Sequence, residues 1–443
     1  MAVRIPRNLF DREKEEMTLS MLQFKPGEDK FKIMPNQKPM EPILFFVVTE
    51  NHVFLPSFFA RKLFKKEIEK QLLKVPTHET ILYHFTKELF THQQTLANQA
   101  LDTLKTQKSI LLNLYTGFGK TIMGAYLASQ LQKRTLVLST QTILPKQWEE
   151  TFATFTSAKI HVYNGTKKMP PPDAQVVVCT SGVLSNMKEE IRMSFGTVIL
   201  DEVHSFCTRT RIFSTLLIEP TYVIAETATF ERPDGGEIMI RSTIGYNDII
   251  VPLKKKFNVY GVETGIQPTV VLDYRGKMIW SKYVSSLVQN EYRNEMILSW
   301  IMKNQTRKIL VLTDRKEMIE QISNKLSEKN VEHDLLFGTK KKYKDTNILL
   351  GTWGKIGVGF DEKSACENFS GRRIDLVFLL FSTKQTWLVE QSVGRAFRSE
   401  MPAVIDFVDH HPTSKNHFRS RQSWYKSRGG NVIKVSGEPI ECI

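Results

Sequence analysis

Ser109-Ile-Leu-Leu-Asn-Leu-Tyr115 runs without a break into Thr116-Gly-Phe-Gly-Lys-Thr121, and a stretch with helical character follows to Gln132. A short aliphatic run ended by glycines reads as a buried strand turning sharply into a helix. Glycines at 117 and 119 let backbone N–H groups approach a phosphate. Lys120 brings a point charge to the outer phosphates, Thr121 offers a hydroxyl to Mg²⁺, and the helix N-terminus adds its dipole. The loop departs from the full G-x-x-x-x-G-K-[ST] form, because Leu114 stands where the first glycine belongs. A plain strand-to-helix turn needs glycine but has no use for the Lys-Thr pair. ATP with Mg²⁺ is therefore the expected ligand, cradled by Thr116, Gly117, Phe118, Gly119, Lys120 and Thr121.

Downstream, strands and helices alternate: Thr135–Ser139, a helix over 143–155, then short apolar strands at 175–179, 197–200 and 222–225. Such alternation predicts a parallel sheet covered on both faces. The strand at 197–200 ends in Asp201-Glu202-Val203-His204. Two acids at a strand's carboxyl end suit a Mg²⁺ ligand, Asp201, followed by a base for the attacking water, Glu202. The alternation restarts near 284, with strands at 308–312, 347–351 and 375–381 and a helix over 386–397. That helix carries Gln391-Ser-Val-Gly-Arg-Ala-Phe-Arg398; Arg395 and Arg398 would share a face and could reach a γ-phosphate as arginine fingers do.

The expected fold class is α/β: two tandem parallel-sheet domains with a small N-terminal α+β extension. The expected boundaries are 1–85 for the extension, possible nucleic-acid contact included, 86–250 for the first domain, 251–283 for a connector and 284–443 for the second domain with a basic tail. A helix expected over 59–73 carries Arg61, Lys62, Lys65, Lys66 and Lys70, which taken alone read as a solvated face and, beside a motor, as a candidate for touching phosphates.

The net charge is +14, which bears on partners and points to a polyanion, nucleic acid first. The four cysteines form no C-x-x-C pair and share no zinc-ligand spacing with the ten histidines, so free thiols and no structural metal are expected. A charged N-terminus and the absence of a long apolar run predict a soluble, intracellular protein that takes no membrane partner.

In order and spacing these elements resemble the superfamily-two helicases of the D-E-x-H type over roughly residues 89–400. The resemblance implies two RecA-like domains that share one ATP. Leu89-Phe-Thr-His-Gln93 is similar to the stretch whose glutamine reads adenine, which implies Gln93. Ile143-Leu-Pro-Lys-Gln-Trp148 resembles the end of motif Ia. Thr180-Ser181-Gly182 resembles a nucleic-acid-contacting motif. Thr227-Ala-Thr229 resembles the motif that couples hydrolysis to movement, with His204 as its neighbour in the coupling. Phe230-Glu-Arg-Pro-Asp-Gly235 resembles P-x-R-x-D-G with Phe230 in place of proline. Thr352 and Gly357-Val-Gly-Phe-Asp361 resemble motif V, implying a nucleic-acid contact at Thr352 and ATP contacts at Gly359 and Asp361. Gln391 to Arg398 resembles motif VI, implying Gln391 at ATP. The glycine loop, the short chain and Arg421-Gln-Ser-Trp-Tyr425 resemble small helicases of large DNA viruses, such as the poxvirus transcript-release helicase, and phage branch-migration helicases. These imply an ATP-driven motor in the cytoplasm or virion that acts on DNA, with RNA as the alternative substrate. They also imply an RNA polymerase or replication machinery as a possible partner, and leave an NTP-gated clamp on a polymerase as the alternative from another class.

Overall fold

The protein is described by a computed structural model covering all residues except 26–40, 74, 75, 116, 143, 229, 231, 233, 357–359, 361 and 443. It divides into two compact units, Met1–Val251 and Pro252–Ile443.

The first unit is built on a seven-stranded, wholly parallel sheet. Across the sheet the strands run Asp248–Val251, Ser109–Leu114, Tyr222–Thr227, Thr197–Asp201, Thr135–Ser139, Val176–Thr180 and Ile160–Tyr163. Every second side chain turns to the same face. Ile110, Leu112, Val137, Ile199 and Ile224 pack against Ala97 and Leu104 of the helix Thr91–Gln107, Leu127 of the helix Lys120–Leu131 and Trp148 and Phe152 of the helix Leu144–Phe155. Leu111, Leu136, Leu138, Val198, Leu200 and Ala225 point the other way.

The N-terminal extension helps cover that second face. Val3 and Ile5 of the strand Ala2–Pro6, and Val53 and Leu55 of the antiparallel strand His52–Pro56, share one core with the sheet residues. The extension is thus a cover for the sheet. The helix expected over 59–73 is two short helices, Ser57–Leu63 and Lys65–Glu69, and the apolar run at 43–48 forms two separate two-residue strands.

The second unit repeats the plan: Asp334–Leu336, Ile348–Thr352, Ile309–Thr313, Leu376–Leu379, Ala403–Val408, Phe257–Glu263 and Gly430–Ser436, again all parallel. Two expectations are corrected here. Phe257–Glu263, placed within a connector, is an inner strand, because Val259 and Val262 are fully buried between two neighbours. The segment read as a basic tail folds as the helix Pro412–Ser427 and the edge strand Gly430–Ser436. Its arginines do not all face water: Arg421 Nε and Nη2 grip both oxygens of buried Asp406 at 2.7 and 2.8 Å, and Tyr425 donates to the same carboxylate at 2.8 Å. A second buried pair, Arg293 with Asp409 at 2.7 Å, ties the helix Glu291–Lys303 to the chain just past Ala403–Val408.

Candidate active site

In parallel α/β sheets, ligand sites form beyond the carboxyl ends of the strands. In unit 1 those ends bring the glycine loop beside Asp201 and Glu202. Gly117 and Gly119 have φ of +96° and +94°, which residues with a Cβ rarely adopt. Gly119 also leaves no room for one, since a Cβ there would lie 2.7 Å from Gln93 Nε2. Lys120 opens the helix, half-buried, and its Nζ donates to the Leu114 carbonyl at 3.3 Å. Thr121 follows in the first turn, and Thr116 lies outside the described residues.

Gln93, implied as an adenine reader, is buried against this loop. Its Nε2 donates to the Phe118 carbonyl at 2.8 Å and its Oε1 accepts from the Phe90 N–H at 3.1 Å. In this arrangement its amide braces the loop. Phe118 is itself wedged between His92 and Tyr115.

Asp201 ends its strand, buried, with Oδ2 accepting the Trp148 indole N–H at 2.8 Å. Burial, reinforced by the neighbouring Glu202 charge, pushes the Asp201 carboxyl up to about 6, while the indole donor and Lys120 pull the other way. Glu202 has φ of +49°, a left-handed conformation that costs about 1–2 kcal/mol outside glycine. Its carbonyl is held there by the Ser205 N–H at 2.9 Å and the Ser205 hydroxyl at 2.7 Å. The turn aims the Glu202 side chain across the sheet. Oε2 accepts from the Thr227 hydroxyl at 3.3 Å and lies 3.4 Å from His204 Nδ1, which is 2.9 Å from the same hydroxyl. Burial lowers the His204 pKa, and Glu202 opposes that shift. The base expected for hydrolysis and two of the residues expected to couple it therefore form one triangle. Thr229, the third, lies outside the described residues. Arg232 extends the triangle, donating to the His204 carbonyl at 3.0 Å while it grips Asp234.

Two participants escaped the sequence reading. Trp148 was placed only as the end of a motif, and its bond to Asp201 joins residues far apart in the chain. Glu226 was left outside its strand. The strand continues through Thr227, and Glu226 pairs in register with Asp201 on one side and Leu112 on the other. It is fully buried, and neither carboxylate oxygen finds a partner among the described residues. Burial first, then the Asp201 charge, raises its pKa well above the usual carboxylate range. Gly124 is glycine for its sake: a Cβ at that point of the helix would collide with the Glu226 carboxylate and with Trp148. A lone acid inside an apolar strand was the signal available.

Thr180 ends its strand half-buried and Ser181, buried, begins the next turn. In unit 2, Thr352 ends Ile348–Thr352. Gln391 and Arg395 are buried on the helix Thr386–Ala396, with Arg395 5.8 Å from the centre of the Phe360 ring. That helix ends at Ala396, and Arg398, half-buried, follows in the turn, its N–H reaching the Arg395 carbonyl at 3.5 Å. Gly359 and Asp361 lie outside the described residues. No group of three or more metal-ligating side chains occurs among the described residues, and no helix there is long and apolar enough to cross a membrane. All four cysteines are buried and unpaired.

Two parallel-sheet units, the first with a glycine loop set against an Asp-Glu pair, define a P-loop nucleotide hydrolase. Comparison with known proteins narrows the class. The family model for the type III restriction enzyme, res subunit, matches residues 86–232. Helicase 161L of Invertebrate iridescent virus 6 is 29% identical over 451 residues, covering 94% of this chain and 97% of that protein. Helicase 109L of Invertebrate iridescent virus 3 is 31% identical over 223 residues, covering 48% of this chain and 68% of that protein. The structure of S. cerevisiae Dbp5 bound to RNA and ADP BeF3 shares the fold, with a TM-score of 0.54 at 15% identity, over 86% of this chain and 94% of that one. The chain belongs to the superfamily-two helicases, among those of large DNA viruses, and is an ATP-hydrolysing enzyme.

Proposed function

We propose that the protein is a DNA-directed motor that uses ATP to remodel duplexes or to release transcripts. The observation that carries the proposal is the Glu202–His204–Thr227 triangle. It ties the expected base to the expected coupling residues through one hydroxyl, so a change at Glu202 is felt at once on the neighbouring strand. The residues of unit 1 fit Mg-ATP: a loop whose glycines expose backbone N–H groups, a half-buried lysine, and a buried carboxyl at Asp201 that a cation would favour in its ionised form. Bound there, Mg-ATP supplies the phosphoryl group to be hydrolysed.

Within this chain, Lys120 and the loop N–H groups neutralise phosphate charge, and Asp201 and Thr121 hold the cation. Glu202 takes the proton of the attacking water. Arg395 and Arg398 keep the role that their resemblance to motif VI implies, stabilising charge on the γ-phosphoryl group. Thr180, Ser181 and Thr352 grip backbone phosphates, which gives little sequence preference and a steep salt dependence. The net charge of +14 supports a polyanionic track. DNA is favoured over RNA on the resemblance to transcript-release and branch-migration helicases. The test is ATP turnover with duplex DNA, single-stranded DNA and RNA side by side. Stimulation by DNA above RNA is expected. Stronger stimulation by RNA would make it an RNA helicase, and a rate unchanged by any nucleic acid would leave a clamp in place of a motor.

A further inference from the structure

The edge of unit 1 where the strands begin holds a cavity of about 400 Å³. It lies across the sheet from the glycine loop: Ser109, in its lining, opens the strand that ends at Leu114. Four of its lining side chains are cationic, Arg61, Lys62, Lys65 and Lys108, and no acid lines it among the described residues.

Arg61 is the informative one. It stands on Ser57–Leu63, and that helix is fixed to the core. The Ser57 hydroxyl donates to the Thr243 carbonyl at 2.8 Å, and Phe58 fills the space over Gly245, where a Cβ would collide with its ring. The guanidinium is therefore not on a free surface element. Its Nε is buried and has no acceptor among the described residues. Burial pulls its pKa down, with no carboxylate acting against it. Arginine keeps its charge in such a place, and a shielded cation without a counterion is unfavourable. The lysines have bland explanations in part. Lys65 approaches Glu69 at 3.8 Å, and Lys108 donates to the Lys105 carbonyl at 2.8 Å, where the end of the helix Thr91–Gln107 would draw a cation anyway. Neither explanation covers Arg61, which belongs to a different element.

We propose that this cavity binds a phosphate group, Arg61 offering its planar N–H fork and Lys62 and Lys65 the surrounding charge. Guanidinium geometry matches a phosphoryl group through paired N–H donors. The phosphate comes from a nucleic-acid backbone lying outside the track gripped by the motor; this choice of source, though not the site, rests on the motor reading above. Nucleic acid held here would be anchored to the edge of the sheet away from ATP.

The site is tested on the full chain in phosphate-free buffer with two variants, Arg61→Met and the exposed double change Lys62→Ala/Lys65→Ala. Melting is followed with and without inorganic phosphate and pyrophosphate, with Lys120→Ala present in every protein so that the glycine loop does not answer. Duplex affinity against salt and ATP turnover at saturating nucleic acid are measured with Lys120 intact. Arg61→Met should melt no lower than its parent without phosphate, since it loses an unpaired charge, and should lose the rise in melting temperature that phosphate gives the parent. Each variant should bind long duplex roughly three- to tenfold more weakly, with a salt slope smaller by about 1 for Arg61→Met and by about 2 for the double change, and turn over ATP normally at saturation. If phosphate protection disappears in the variants but duplex affinity does not change, the site stands and its ligand is a free phosphate compound. If neither phosphate response nor duplex affinity changes, the site is refuted. Should wild type show no stimulation by any nucleic acid, the motor reading fails, and the phosphate response of Arg61→Met still decides the site.

Discussion

Trp148→Phe removes one hydrogen bond and keeps most of a buried ring. The indole donates to Asp201 Oδ2 at 2.8 Å, and both residues are buried. A hydrogen bond to a charged group contributes about 1.5–3 kcal/mol, and about 1.4 kcal/mol corresponds to one pH unit of pKa. Asp201 already sits at about 6, and the indole is one of the groups holding it down. Losing that donor should carry the carboxyl up by about one pH unit, discounting part of the bond for relaxation. Only the ionised form can hold a cation, so activity is lost as pH falls through this pKa, and the loss should begin at higher pH in the variant. The acid limb of kcat/KM for ATP, which reports the free enzyme, should move alkaline by about one unit: roughly a fivefold deficit near pH 6 and less than twofold at pH 8. The assay is steady-state ATP hydrolysis from pH 5.5 to 8.5 at saturating nucleic acid. Superimposable profiles, or an equal deficit at both ends, would refute the argument; the second outcome would mean that Trp148 matters only for packing.

Glu202→Gln and Arg398→Ala should both hydrolyse ATP far more slowly, by roughly 10³ or more for the arginine. They should differ in grip: with ATP, filter binding should find nucleic acid held tightly by Glu202→Gln and not by Arg398→Ala, and wild-type turnover in Arg398→Ala would remove that residue from the site. Glu226→Leu should stabilise unit 1 by about 1–3 kcal/mol in urea, because it deletes a buried carboxyl without a partner. A group whose folded pKa is raised gives up stability as pH rises from the ordinary carboxylate range through that pKa, so the gain should be larger at pH 8 than at pH 5; a loss at both would show that the carboxyl has a partner. Arg421→Met should lower the unfolding midpoint of unit 2 by the equivalent of about 3–5 kcal/mol, since it strands Asp406 in the core. An unchanged midpoint by circular dichroism would contradict that.

The two sheets were legible because parallel strands buried on both faces read as plain apolar runs set between helices, and Ser109–Leu114 and Thr197–Asp201 are such runs. Phe257–Glu263 was missed because Asn258, Tyr260 and Gly261 interrupt its aliphatic character and Lys254-Lys255-Lys256 precede it; burial between two neighbours decided its state. Arg421 read as part of a charged tail because its partner, Asp406, lies on another element, and sequence spacing carries no trace of a pairing made by the sheet. At the site, the loop and the acid pair were local and therefore readable. Trp148, Glu226 and the space kept open at Gly124 arise from packing two helices over neighbouring strands, and no motif encodes that.

The shared core beneath the sheet of unit 1 bears on modularity. Residues 86–232, the span of the family match, are not a part that can be lifted out intact. Excised at those ends, the fragment would lose the edge strand Asp248–Val251 and the layer carrying Val3, Ile5, Val53 and Leu55, and would bare part of the face that holds Leu111, Leu138 and Leu200. Such a fragment should aggregate, and limited proteolysis of the intact protein should not release it. The extension that bears no recognisable motor motif shares one core with the motor's sheet. Grafting this ATPase onto another scaffold would have to carry the strands Ala2–Pro6 and His52–Pro56 along with it.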